Sequence, residues 1–226
     1  MMKPLVILSI VLVHSYGECE YDSRYIGWKV FRCDQITPEE SEFNKLHGKE
    51  KPLNFTRLYW ENFTGELDPN TLKVLPNLST FELKNSNFST IPDGFFEACQ
   101  DLEDIELRNN NNLKTIEENA FKNLTKLRNL FIINNSILED FYLEFVSHCD
   151  QMENLGLPSD VVLSMDIPQL KEWFPKLYSI SIVIYVEMED SEKIMKKIED
   201  VINQTELKIY FRDLNDCCSF INSYPE

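Results

Sequence analysis

The chain has 226 residues, 43% of them hydrophobic, and carries 22 Lys and Arg against 38 Asp and Glu, a formal charge of −16 at pH 7. That balance argues against nucleic acid and anionic lipid as partners, because both reward basic patches. Six glycines in the whole chain leave little for a phosphate-cradling loop.

The first element in chain order is a leader. "MMKPLVILSIVLVHSYGECE" joins one lysine, an apolar run from Leu5 to Val13 broken only by Ser9, and small residues near Gly17. This layout predicts a secretory signal peptide over 1–17. A membrane span needs ~20 apolar residues, and no other run approaches that length, so no membrane insertion is expected. The rest of the chain is expected to be secreted and extracellular. Seven sequons agree with a glycoprotein: Asn54, Asn62, Asn77, Asn87, Asn123, Asn134 and Asn203 each precede x-Ser/Thr. An N-terminal cap is expected over 18–52, where Cys19 and Cys33 flank "EYDSRYIGWKVFR".

Residues 53–188 are repetitive in spacing. In "LPNLSTFELKNSNFSTIPDGFFEACQDL", Leu75 to Leu102, the apolar positions are Leu78, Phe81, Leu83, Phe88, Ile91 and Phe96. The set returns at Leu102, Ile105, Leu107, Leu113, Ile116 and Phe121, then from Leu127, from Met152 and from Leu177, with a degenerate earlier copy from Phe55 to Leu67. A period of 24–25 residues marks a repeat architecture. The pair Phe81 and Leu83 makes a short strand with two inward side chains. The chain then turns and returns along the other side, with Ile91 and Phe96 inward. One coil cannot bury that face, so stability comes from stacking on neighbours. Each turn points backbone N–H and C=O groups inward, and an asparagine amide can serve both. The template L-x-x-L-x-L-x-x-N-x-L is that of the leucine-rich repeat. Asn110 and Asn135 fill its asparagine slot, whereas Ser86 and Asp160 are departures expected to weaken the ladder locally. Pro158, Pro168 and Pro175 predict an irregular fifth copy.

Residues 189–226 differ. Ile194, Ile198, Val201 and Ile202 in "SEKIMKKIEDVINQ" share one helical face, Ser191 is a candidate cap, and a strand over Leu207 to Phe211 follows. Cys99 and Cys149 occupy one slot two coils apart. Strands stack ~4.8 Å apart, which separates those slots by at least ~10 Å, beyond the ~7 Å Cα limit of a disulfide. They are expected to be buried thiols. Cys217 and Cys218 pair with each other, with another chain, or one of them with Cys149; the spacing leaves these open.

A catalytic reading finds no candidate. His47 and His148 lie in unrelated slots, no G-x-S-x-G or H-E-x-x-H is present, and acidic pairs such as Glu117–Glu118 read as solvated turns. No metal cluster and no cofactor are expected, and the chain is expected not to be an enzyme. The repeat offers surface instead. By register the outward column in the middle of the strands is Tyr59, Glu82, Glu106, Phe131, Gly156 and Ser181. The column after it includes Lys84, Arg108 and Ile133. An apolar step at Phe131 and Ile133 beside charge is the composition of an interaction site. Tyr59, Glu82, Glu106, Arg108, Phe131 and Ile133 are therefore the predicted partner-binding residues.

The segments "IPDGFFEAC" and "IEENAFKNL" look like the outer half I-P-x-x-x-F-x-x-L of a known family. The stretch from Trp28 to about Phe211 resembles the secreted leucine-rich-repeat proteins of invertebrate immunity and saliva, and more distantly the ectodomains of Toll-like receptors. The resemblance implies an α/β solenoid, a right-handed coil with six or seven short parallel strands on its concave face. It implies a Cys19–Cys33 disulfide in the N-terminal cap and a helix-strand C-terminal cap. It also implies binding of an extracellular protein or glycan without catalysis. Two other readings stand beside it: an inhibitor of a secreted hydrolase, and a scaffold or homodimer built through the apolar C-terminal edge near Ile184 and Val186.

Overall fold

The computed structural model describes residues 18–22, 30–35, 55–135, 138–139, 141–158, 161, 164, 166–183, 196–197, 199–201, 203 and 206–212. The segment 1–17 expected to be a leader, His47, Asn54, Asp160, Ile184 and Val186 lie outside them, as do Ser191, Ile194, Ile198, Ile202, Cys217 and Cys218.

Each repeat contributes one short strand, and the strands stack. They are β1 (Glu18–Asp22), β2 (Val30–Asp34), β3 (Arg57–Glu61), β4 (Thr80–Lys84), β6 (Asp104–Arg108), β8 (Asn129–Ile133), β9 (Asn154–Leu157), β10 (Ser179–Val183) and β11 (Lys208–Arg212). They form one nine-stranded sheet in chain order. β1 and β2 are antiparallel, and every later neighbour pair is parallel. The sheet exceeds the six or seven strands expected, because the β1–β2 hairpin joins it at the N-terminal end. On the returning side, β5 (Thr90–Ile91) and β7 (Thr115–Ile116) pair in parallel. Leu83, Leu107 and Ile132 are stacked neighbours, as the 24–25 residue period requires. The molecule is a solenoid.

Its core runs the length of the coil. Phe81 meets Phe96 edge-on at 5.1 Å, Phe96 stacks on Phe121 at 5.6 Å, and Phe121 meets Phe141 at 6.4 Å. The outer segments are turns or 3-10 pieces, such as Leu143–Val146. The fifth repeat instead forms a helix, α1 (Ile167–Trp173). The fifth copy departs from the others as expected, and Pro168 fits the helix there: it sits in the first helical turn, where its missing N–H costs nothing, and Asp166 caps Gln169 N–H at 3.3 Å.

The buried amide ladder is present, and Ser86 belongs to it. Asn110 Nδ2 donates to the Leu83 carbonyl at 2.9 Å, while its Oδ1 accepts from Ser86 N–H at 3.0 Å. Asn135 repeats this with the Leu107 carbonyl and Asn110 N–H, both at 3.0 Å. Ser86 was expected to weaken the ladder. Its hydroxyl accepts from Phe63 N–H of the preceding coil at 3.0 Å but donates to the Lys84 carbonyl of its own strand at 2.8 Å, so it keeps the accepting half of a rung and lacks the donation to the preceding coil that Asn110 and Asn135 make. Cys99 and Cys149 are free and buried, and burial pushes both thiols up to about 12. Among the described residues no helix is long and apolar enough to cross a membrane.

Candidate functional site: the concave sheet

Register fixes which side chains share the concave face. The middle column reads Arg32, Tyr59, Glu82, Glu106, Phe131, Gly156, Ser181 and Tyr210. Strand alternation sends its neighbours Leu58 and Trp60, Phe81 and Leu83, or Ile105 and Leu107 into the core. Of the six predicted residues, Tyr59, Glu82, Glu106 and Phe131 fall in this column, and Arg108 and Ile133 fall in the next.

The N-terminal half of the face is ionic. Arg32 lies 4.6 Å over the Tyr59 ring. Lys84 bridges Glu61 and Glu82, each at 3.0 Å. Burial pulls the Lys84 ammonium down, but Glu82 and Glu61 outweigh it and hold its pKa above the usual value. Arg108 pairs with Glu106. Burial nevertheless pushes the Glu106 carboxyl above its usual value; Glu82 adds to this, and Arg108 opposes it without cancelling it.

Across β8, β9 and β10 the face carries no charged side chain among the described residues. One row, invisible to apolar spacing, runs across five strands: Thr80 Oγ1 donates to Asp104 at 3.2 Å, Asn129 donates to Asp104, Asn154 donates to Asn129 Oδ1 at 2.6 Å, and Ser179 donates to Asn154 Oδ1 at 2.5 Å. Its signal in the sequence is the 25-residue recurrence of Asn129, Asn154 and Ser179. Beside it Phe131 lies over Gly156. A Cβ on Gly156 would overlap Phe131 Cδ1 and sit 3.2 Å from Ile133 Cγ2. Ile133 was expected to be exposed, yet it is 2% exposed. With no side chain at Gly156, Phe131 and Ile133 close over the neighbouring strand, and only Phe131 stays part-exposed.

The remaining candidates fall elsewhere. Asn62, Asn77, Asn87, Asn123 and Asn203 are exposed, and Asn134 is part-exposed. Cys33 is disulfide-bonded, and Cys19 stands directly opposite it in the β1–β2 register. His148 is exposed at an outer turn, its Nε2 3.0 Å from the Phe121 carbonyl. Among the described residues no group of three His, Cys, Asp or Glu is gathered to hold a metal ion.

Residues 62–137 match a family model described as leucine rich repeat. The fold is a leucine-rich-repeat solenoid with a concave parallel sheet. No curated protein matches the chain. Among solved structures, it is similar to the leucine-rich-repeat ectodomain of the receptor kinase SOBIR1 from Arabidopsis thaliana, at 18% identity and TM-score 0.38 over 88% of this chain and 80% of that one. It is also similar to a chain of the Toll–Spatzle complex of Drosophila, at 14% identity and TM-score 0.40 over 69% of this chain. This chain spans 27% of that Drosophila chain.

Proposed function

We propose that this protein is a secreted, glycosylated, non-catalytic binding module that recognises an extracellular protein through its concave sheet. The observation that carries this reading is the join at β6–β8, where the ionic surface of Glu82, Glu106 and Arg108 meets the part-exposed ring of Phe131. An aromatic anchor beside charge is the usual composition of a binding hot spot. Tyr59 extends the surface toward the N-terminus, and Ile133 supports Phe131 from below. In this reading 1–17 is the leader, 18–52 an N-terminal cap held by a Cys19–Cys33 disulfide, and 189–226 the C-terminal cap.

The test is affinity, measured on a partner captured from extracellular fluid and then purified. Truncating a central aromatic anchor typically costs at least ~2 kcal/mol, about thirtyfold in affinity. Phe131→Ala should lose that much in surface plasmon resonance while keeping its melting temperature within a few degrees. Glu66→Ala, an exposed outer-turn change, should bind as the wild type does. An unchanged affinity for Phe131→Ala moves the site off this face.

A further inference from the structure

The solenoid edge that follows the concave strands is built from amides. Asn62, Asn85, Asn109 and Asn134 sit there at φ 54, 52, 57 and 56°, the left-handed region that asparagine tolerates better than most residues. Their side chains are tied into the edge. Asn62 Nδ2 donates to Asp34 Oδ1 at 2.7 Å, Asn109 Nδ2 to Asn85 Oδ1 at 3.2 Å, and Asn134 Nδ2 to Asn109 Oδ1 at 3.0 Å.

Asn87, on the same edge, is arranged the other way round. Its backbone is clamped on both sides: its N–H donates to the Phe63 carbonyl at 2.7 Å, and its carbonyl accepts from Gly65 N–H at 3.2 Å. Its side-chain oxygen accepts from Asn112 Nδ2. Its own Nδ2 donates to no group among the described residues, and the residue is exposed. Asn87 and its partner Asn112 form the wall shared by two shallow depressions. One is lined by Asn85, Ser86, Asn109, Asn111 and Asn112, with no charged side chain; the other reaches Gly65 and Lys114. Asn87–Phe88–Ser89 is a sequon. Phe88 is buried and Ser89 is exposed, so the triplet is anchored at its centre and open at both ends.

We propose that Asn87 carries an N-linked glycan whose first sugar lies over the amide-lined depression. In the transfer, the C1–O bond to a lipid pyrophosphate donor breaks and a C1–Nδ2 bond forms. The pyrophosphate leaves with the electron pair, and Nδ2 loses one proton. The bond from Asn112 survives, because it uses Oδ1. A sugar on Asn62 or Asn134 would instead land on a nitrogen that already donates into the edge. Amide side chains supply both donors and acceptors to sugar hydroxyl and acetamide groups. This inference rests on the secretion and glycosylation assigned under the proposed function.

The experiment uses the full chain secreted from a glycosylating eukaryotic host. Enzymatic deglycosylation in heavy-oxygen water marks each occupied asparagine for peptide mass spectrometry. Label at Asn87 in most molecules is the expected result, lost in Ser89→Ala, which removes the sequon and keeps the Asn87–Asn112 bond. Wild-type protein trimmed to one N-acetylglucosamine per site should melt ~2–4 °C above Ser89→Ala, about 1 kcal/mol for a chain of this size. Equal melting overturns the seating of the sugar. Label at Asn77 or Asn123 with Asn87 unmarked overturns the site and leaves secretion standing. A chain that stays intracellular and unlabelled overturns both.

Discussion

Across β3, β4 and β6 the concave face is a set of ion pairs; across β8, β9 and β10 it is a row of amides and hydroxyls beside a seated aromatic ring. Both halves ride on the same coil, with the same inward side chains and the same register. In the first half, Lys84 and Arg108 pair with three glutamates at the surface. In the second, polarity is satisfied along the sheet by Asn129, Asn154 and Ser179, and the missing side chain of Gly156 makes room for Phe131. Ionic satisfaction is screened by salt, whereas hydrogen bonds between amides and packing are not. The two halves should therefore respond differently to the same perturbations.

The largest expected effect is at the seat of Phe131. Gly156→Ala places a methyl group where Phe131 lies and presses on Ile133. Overpacking of this kind costs about 1–3 kcal/mol, and each kcal/mol lowers melting by ~2–4 °C in a chain of this size. Phe131→Ala should relieve most of that cost, so the double mutant should be more stable than the sum of the singles. Additive losses in thermal melts would mean that Phe131 does not occupy this seat.

Next comes the amide row. Asn154→Ala removes the donor to Asn129 and the acceptor of Ser179. With both partners part-buried, a loss of about 1 kcal/mol is expected, equal in dilute and in ~0.5 M salt. Lys84→Ala leaves Glu61 and Glu82 without their bridge. It should cost less than about 1 kcal/mol, because both pairs are partly solvated, and the loss should shrink as salt rises. Equal salt dependence in the two variants, read by denaturant melts, would erase the distinction between the halves.

Most of this architecture is legible in the sequence, because the inward positions repeat with one period and one chemistry. Leu83, Leu107 and Ile132 align by inspection, and so do the columns they leave outside. What escapes is set by the neighbouring coil. Ile133 reads as exposed from its own strand and is buried because residue 156 is a glycine. Ser86 reads as a defect and still serves as half a rung, because its hydroxyl accepts from Phe63 N–H of the preceding coil. Pro168 reads only as irregularity and sits in the first turn of a helix capped by Asp166. In each case the deciding contact lies outside the strand pattern that the periodicity reports.

The smallest effect sharpens the comparison most. Burial, seconded by Glu82, raises the Glu106 carboxyl, and Arg108 does not offset it. The folded chain therefore holds this proton more readily than the unfolded chain does. Ionised Glu106 costs stability above its raised pKa, and that cost disappears as pH falls through the raised value toward the ordinary carboxylate range. Glu106→Gln keeps an acceptor for Arg108 and removes the desolvated charge. It should melt at or slightly above the wild type at neutral pH, with the gap closing as the solution is acidified. Asn154→Ala should show no such convergence, because its row turns on amides rather than on this carboxyl. Melts across a pH series decide the point. If the wild type instead loses ground to Glu106→Gln between pH 7 and mild acid, burial does not outweigh the Arg108 pairing. If its advantage is greatest at neutral pH and fades only in acid, the ion pair governs Glu106, and the ionic half is stabilised by its charges rather than merely tolerating them.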